Sequence, residues 1–150
     1  MNQKGGDSLK VLRDNISKLP FHRFLGLDLD CFDMENGCIR FDMRDELVGN
    51  NHFKILHGGV IASILDIEGA FVLAMNGAWR IETGLPTNPL KFKGGTIDLR
   101  IDYLRPGKGK HFIASGIILR VGNKVGVVHT ELRNEQDELI ATGIGTYLIG

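Results

Sequence analysis

The chain has 150 residues, of which 43% are hydrophobic and 24% are charged, which is enough for one compact domain but not for two. Lys plus Arg and Asp plus Glu each number 18, so the formal net charge is zero. That balance disfavours nucleic acid or an anionic membrane surface as the main partner. The N-terminus has no apolar leader and no run approaches the length of a membrane span, so we expect a cytoplasmic location.

The first predicted element is a short amphipathic helix. Ser8 can cap it and Pro20 follows it. Its apolar positions share one helical face: Leu9, Leu12, Ile16 and Leu19. We therefore interpret residues 1–24 as an extension whose helix packs as a lid on a domain of residues 25–150.

From about Leu27 the pattern changes to a period of two, which is typical of a half-buried strand. The apolar and polar positions alternate over Ile39, Arg40, Phe41, Asp42, Met43 and Arg44. We expect this strand to pair with the segment before it, turned back at Glu35-Asn36-Gly37. The two cysteines, Cys31 and Cys38, lack metal-ligand or Cys-x-x-Cys spacing, so we predict reduced thiols in or near the core.

An apolar helix is predicted to begin near Gly58 and to reach at least Gly77. The only ionisable residues in this range are Asp66 and Glu68. A carboxylate on such a core helix is costly unless it is paired or takes part in a reaction. Glu68 lies about 200° round the helix from Asp66, so we assign it a structural or interface role.

The sequence His57-Gly58-Gly59 stands at the head of this helix. The first N–H groups of a helix have no intrahelical acceptor and lie at the positive end of the helix dipole. Two glycines would let a substrate approach the main chain, so the segment could stabilise a carbonyl oxygen that gains negative charge. A plain glycine turn before a core helix is the alternative.

After the helix the sequence predicts four strands. The first alternates over residues 97–103 and is broken by Pro106-Gly107; the others cover about 111–121, 124–133 and 138–149. Gly122-Asn123 and Asn134–Asp137 are plausible hairpin turns. The order is two strands, one long helix and a meander, which predicts an α+β fold with a curved antiparallel sheet wrapped around a buried helix.

The arrangement of these residues resembles the hotdog-fold acyl-CoA thioesterases, in the phenylacetate-pathway-like branch of the 4-hydroxybenzoyl-CoA thioesterase superfamily. The resemblance covers residues 25–149 and rests on four features. These are Asn51 six residues before His57, the His57-Gly58-Gly59 sequence, Asp66 nine residues after His57, and the run from Thr96 to Pro106.

The resemblance implies a set of roles. Asp66 would activate water or attack the thioester, Asn51 and the Gly58 N–H would polarise the carbonyl, Thr96 would help to hold the water, and His57 would shape the carbonyl pocket. The acyl-CoA substrate would lie along a channel for which the candidate residues are Gly59, Tyr103, Arg105, Lys108, Arg120, Gly122, Asn123 and Lys124. Exposed turns are often basic, which is the alternative explanation for these cations.

Helix geometry gives a separate reason to expect an oligomer. Nine residues turn through roughly 900°, so Asp66 would emerge opposite His57 and about 13 Å along the axis. If both residues act, the site must combine His57, Gly58 and Asn51 of one chain with Asp66 and Thr96 of another. We therefore predict a homodimer with shared sites. We also expect two such dimers to associate as a dimer of dimers. That only one of the two residues acts is the alternative.

Other functions remain open at this stage. A hotdog dehydratase or hydratase would need an acid at another helix position, which Phe71 occupies. A non-catalytic acyl-CoA-binding protein would be expected to lack an acid on the helix or to carry a DNA-binding appendage, and the sequence shows neither feature. His52 and His57 lack a third ligand, so we predict no metal and no cofactor. Ser63 and Ser115 lack a nucleophile elbow, which disfavours a serine hydrolase. The acyl group depends on how Phe53, Ile55, Phe71 and residues 78–95 pack.

Overall fold

The computed structural model describes residues 5–31, 37–85 and 95–150. The elements in chain order are α1 (Gly5–Ser17), α2 (Pro20–Leu25), β1 (Ile39–Asp42), a 3-10 turn (Asp45–Leu47), β2 (Val48–Asn50), β3 (Ile55–Leu56), α3 (Gly58–Glu82), β4 (Gly95–Tyr103), β5 (His111–Val121), β6 (Val125–Asn134) and β7 (Leu139–Leu148).

The main sheet has five strands in the order β1-β5-β6-β7-β4, and every neighbouring pair is antiparallel. Helix α3 packs against β5, β6 and β7. In β6 buried positions alternate with more exposed ones, as expected for a sheet with one face in the core. The predicted α+β class, with one long helix on an antiparallel sheet, is confirmed.

The meander agrees closely with its sequence pattern. Strand β5 has the predicted bounds, and β6 and β7 each begin one residue later than expected. Strand β1 pairs mainly with β5, and its predicted partner, the preceding segment, contributes a single bridge between Asp28 and Arg40. The turn proposed at Glu35-Asn36-Gly37 lies outside the described residues except for Gly37, which has a φ of 58°.

The N-terminal segment contains two helices where we predicted one. Helix α1 begins at Gly5, so Ser8 lies inside it and does not cap it. Pro20 opens α2 at a first-turn position, where its missing N–H costs nothing, and Gly26 ends that helix in the left-handed conformation with a φ of 70°. The expected packing of α1 is present for Leu9, Leu12 and Ile16, which contact the core. Leu19, which we placed on the same helical face, lies beyond the end of α1 and is exposed.

The prediction of reduced cysteines is wrong, because Cys31 and Cys38 form a disulfide. The backbone bridge between Asp28 and Arg40 holds the segments that carry the two cysteines side by side. The Cα atoms of Cys31 and Cys38 are 5.4 Å apart, within the range that a disulfide spans. The seven-residue separation carries no local signal of this pairing.

Helix α3 is the longest element and is almost wholly apolar. With 25 residues it is long and apolar enough to cross a membrane, so the expectation that no run approaches that length is corrected. Half of its most apolar stretch is buried inside the protein. The hydrophobic core of a sheet-and-helix domain accounts for such a composition.

Candidate active site

The two acidic residues of α3 point in different directions. Glu68 is fully buried, and its carboxylate lies close to the backbone of Gly37 and Gly116 on the sheet side. Asp66 is half-buried on another face, where the Thr96 hydroxyl of β4 donates a hydrogen bond to its Oδ1 at 2.8 Å. The structure therefore brings together Asp66 and Thr96, two of the residues singled out in the sequence.

Tyr147 of β7 fixes the helix turn that carries Asp66. Its hydroxyl donates to the Asp66 carbonyl oxygen at 3.2 Å, and the side chain is fully buried. Burial raises the pKa of this phenol well above its usual range, and the nearby Asp66 and Glu68 carboxylates raise it further. Gly69 makes room for the ring, because a Cβ there would lie 2.1 Å from the Tyr147 oxygen.

His57 caps the N-terminus of α3, a role that the sequence did not reveal. Its Nδ1 accepts a hydrogen bond from the Gly59 N–H at 2.8 Å. An accepting Nδ1 leaves the proton of a neutral ring on Nε2. Among the described residues the Gly58 N–H has no acceptor, so it is the open donor at the helix head.

Two backbone hydrogen bonds hold the helix head in place. The His57 N–H donates to the Leu47 carbonyl at 2.9 Å, and the Leu56 N–H donates to the Gly107 carbonyl at 2.9 Å. Strands β2 and β3 form a separate two-stranded ribbon here, which we did not predict. The loop that contains Arg105 and Lys108 therefore lies beside the start of α3.

Asn51 lies at the turn of this ribbon and its side chain is exposed. The turn itself is built by Asn50, whose Oδ1 accepts the N–H groups of His52 and Phe53 at 3.0 and 3.1 Å. Because Asn50 holds the turn, the Asn51 amide is not required to support it.

Tyr103 also reaches the helix head, where its hydroxyl donates to the Gly58 carbonyl at 3.0 Å.

Within one chain the candidate residues form two separate groups. Asn51, His57, Gly58 and Tyr103 lie at the head of α3, whereas Asp66 lies eight residues further along, or about 12 Å from Gly58 along the axis. Asp66 and Thr96 line one cavity, and none of the head group lines it. The structure does not bring Asp66 and Gly58 together in a single chain.

The cations proposed to bind coenzyme A also fall into two separate groups within one chain. Lys108 lies with Lys54 and Lys110 around a pocket that Glu135 and Glu138 also line. The hairpin tip from Arg120 to Lys124 lies at the other end of the sheet, because Val125 pairs with Leu148 and Leu148 pairs with Gly95. Gly122 and Asn123 belong to this tip.

The cavity beside Asp66 contains a histidine to which no sequence pattern assigned a role. His22 of α2 lines it together with Ile16 and Leu19, opposite Asp66 and Thr96. These residues are distant in sequence, so no local pattern could have grouped them. Over residues 5–31, 37–85 and 95–150, no cluster of three or more His, Cys, Asp or Glu could hold a metal ion.

This chain belongs to the thioesterase superfamily, whose family model matches residues 53–141. It is 43% identical over 135 residues to the medium/long-chain acyl-CoA thioesterase YigI of Escherichia coli K12, a match that covers 88% of this chain and 86% of that protein.

Solved structures agree with this assignment. A Shewanella oneidensis protein related to the thioesterase superfamily matches with a TM-score of 0.87 and 38% identity, over 100% of both chains. The E. coli PaaI protein from the phenylacetic acid degradation operon matches with a TM-score of 0.72 over 95% of both chains, and at 20% identity it supports the fold alone. The predicted hotdog fold and thioesterase family are confirmed.

Proposed function

We propose that this protein hydrolyses acyl-CoA thioesters to a free acid and coenzyme A. The observation that carries the proposal is the half-buried Asp66 carboxylate on an apolar helix, held at 2.8 Å by the Thr96 hydroxyl beside a cavity. The relative YigI, at 43% identity, is an acyl-CoA thioesterase, which supports the same reaction class.

Asp66 acts as the general base for water or as the nucleophile. The Thr96 hydroxyl donates its only proton to Oδ1, which leaves Oδ2 of Asp66 for the reaction. The hydroxyl oxygen of Thr96 can still accept a hydrogen bond from a water molecule. This arrangement suits a water held between the two side chains and aimed at a thioester carbon.

The thioester carbonyl binds at the head of α3. The open Gly58 N–H lies at the positive end of the helix dipole, and the exposed Asn51 amide can supply a second donor. His57 contributes a third, because its Nδ1 accepts from Gly59 and a neutral ring then presents Nε2–H. Gly59 itself binds no carbonyl in this scheme, since its N–H is already used.

The residues at the head of α3 and the Asp66–Thr96 pair meet across a dimer in which β4 pairs with β4 of the partner. Strand β4 is an edge strand of the sheet, with Ile97 57% and Tyr103 54% exposed. A two-fold axis that pairs two copies of β4 antiparallel places the Thr96 end of one strand beside the Tyr103 end of the other. Asp66 of one chain then faces Gly58 of the partner.

The same two-fold axis brings the two groups of candidate cations together, one from each chain. Arg105 and Lys108 of one chain come to the end of the sheet that carries Arg120 and Lys124 of the other. Such a combined basic surface suits the phosphates of coenzyme A. Two exposed isoleucines on the outer face of the sheet support a dimer of dimers. Ile117 and Ile144 lie on either side of His129 on neighbouring strands and offer apolar surface to a second dimer.

Replacement of Asp66 by Asn tests this function. The amide keeps the shape of the side chain but removes the base or nucleophile, so we expect the kcat for thiol release from acyl-CoA to fall at least about a hundredfold. Asp42→Asn is the matched control, since Asp42 is an exposed carboxylate on β1, which lies at the opposite edge of the sheet from the strand β4 that carries Thr96. Activity of Asp66→Asn within a few-fold of the parent would remove Asp66 from the mechanism.

The product distinguishes hydrolysis from the alternatives. A hydrolase releases free coenzyme A, detected with a thiol reagent, in amounts equal to the acid formed. A dehydratase or hydratase would change the acyl chain and leave the thioester intact, which mass spectrometry of the acyl-CoA detects. Binding without either product would indicate a non-catalytic acyl-CoA-binding protein.

A further inference from the structure

The N-terminal segment covers the face of α3 that carries Asp66. Ile16 of α1, Leu19 between the helices and His22 of α2 line a cavity of about 270 Å³ whose opposite wall is α3. Helix α1 packs on α3, and Ile16 also contacts the core. The cavity is therefore bounded on its outer side by residues that precede the sheet.

The wall that α3 contributes has small side chains along one line. Asp66, Ala70 and Ala74 follow each other at four-residue intervals, so they lie one above another on a single helical face. They span about 12 Å along the axis. Ile67 and Phe71 flank this line. The result is an apolar groove that begins at the Asp66 carboxylate and follows α3 away from the helix head.

We propose that this groove binds an unbranched aliphatic acyl chain of the substrate, and that the N-terminal segment is its outer wall. The inference rests on the proposed function, because the groove begins at the carboxylate to which the reaction is assigned. Apart from Asp66, Thr96 and His22, every residue that lines the cavity is apolar, so the atoms beyond a thioester carbon held at Asp66 meet mainly apolar walls. A row of alanines one side chain wide accommodates a linear chain, whereas a flat ring needs the width that Ile67 and Phe71 occupy.

His22 holds the two parts of the outer wall together. Its Nδ1 lies 2.8 Å from the Ile16 carbonyl oxygen, which can only accept, so Nδ1 carries the proton. This hydrogen bond links α2 to the last turn of α1 on either side of Leu19. The wall is thus a fixed surface, and its position relative to Ala74 limits the length of the chain that fits.

Filling the groove should shorten the preferred substrate. We would measure kcat/KM by thiol release for the full chain with straight-chain acyl-CoA esters from butanoyl to hexadecanoyl, together with phenylacetyl-CoA. Each methylene that the groove buries contributes about fourfold to kcat/KM. In Ala74→Leu we expect the ratio of long-chain to short-chain kcat/KM to fall about tenfold or more, and in Ala70→Leu, nearer Asp66, the optimum shifts to still shorter chains.

Ala78→Leu is the matched control. Ala78 is the next position in the same line of α3 but does not line the cavity, so its variant keeps the chain-length profile of the parent. Variants that fail to fold by circular dichroism are replaced by Ala70→Val and Ala74→Val, for which the same order of effects is expected at smaller size.

The outer wall is tested separately. Leu19 is 48% exposed, so Leu19→Ala leaves the core intact while it removes apolar contact from the groove. We expect kcat/KM for the longest accepted chains to fall about tenfold, with a much smaller change for butanoyl-CoA. Val11→Ala is the control on the same segment, since Val11 of α1 is 57% exposed and lies outside the cavity.

Two results would overturn the inference while the proposed function stands. One is hydrolysis by the alanine-site variants and by Leu19→Ala with the parent's chain-length profile. The other is a parent preference for phenylacetyl-CoA over every straight-chain ester. If the parent releases no thiol from any acyl-CoA, the proposed function itself fails and this inference fails with it.

Discussion

The hydrogen bond from Thr96 to Asp66 gives the most specific single-residue prediction. Thr96→Val keeps the shape of the side chain but removes the donor that holds Oδ1 at 2.8 Å. A hydrogen bond to a charged group contributes about 1.5 to 3 kcal/mol. Because Thr96 is exposed and Asp66 only half-buried, we take the lower end of that range. About 1.5 kcal/mol corresponds to roughly a tenfold loss of kcat.

The assay is thiol release from a saturating acyl-CoA ester, with Thr96→Ser as the control. Serine keeps the hydroxyl, so we expect its kcat to stay within about threefold of the parent. The KM of both variants should change little, since the bond orients a reacting group rather than binding the substrate. A kcat for Thr96→Val within about twofold of the parent, or an equal loss in both variants, would refute this reasoning.

Three further predictions concern the helix head and the packing beneath Asp66. Asn51→Ala should lower kcat by about ten to a thousandfold through loss of a carbonyl donor, measured by thiol release; a change in KM alone would make it a binding residue. Gly69→Ala should cost about 1 to 3 kcal/mol in urea unfolding, because its Cβ would lie 2.1 Å from the buried Tyr147 oxygen, whereas Gly95→Ala, with 3.7 Å to its nearest neighbour, should cost far less. Burial raises the pKa of Tyr147, so the folded protein favours the neutral phenol. The stabilisation from the buried neutral phenol is complete below about pH 10, where the phenol of the unfolded chain ionises, and it is lost as the pH rises further. Tyr147→Phe should therefore lose less stability than the parent between neutral and alkaline pH, and equal losses would contradict this assignment.

Sequence periodicity predicted the elements that are long enough to show it. The alternation over residues 97–103 predicted most of β4, and the apolar run after Gly58 predicted the start of α3. Strands β2 and β3 have three and two residues, which is too short for any periodic pattern. Helix α2 was missed because Pro20 can end one helix or begin another, and the sequence does not distinguish these uses.

Some features of the candidate site could be predicted from the sequence, and others could not. The pairing of Asp66 with Thr96 was implied by the family resemblance, and the structure places them in contact. His57 as a helix cap was not predicted, since capping residues are usually Ser, Thr, Asp or Asn. His22 was missed because its place beside Asp66 depends on packing between segments 44 residues apart. Contacts of that kind are set by tertiary structure and leave no local signal.

Hybrid dimers test most directly whether the catalytic site is shared between two chains. Asn51→Ala chains are mixed in equal amounts with Asp66→Asn chains, each nearly inactive alone, then mildly unfolded and refolded so that the chains exchange. Random assortment makes about half of the dimers hybrids, each with one site that carries both intact residues. We expect recovery of about a quarter of the parent activity. No recovery, with hybrids confirmed by native mass spectrometry, would show that Asn51 and Asp66 serve a site within one chain or that one of them has no catalytic role.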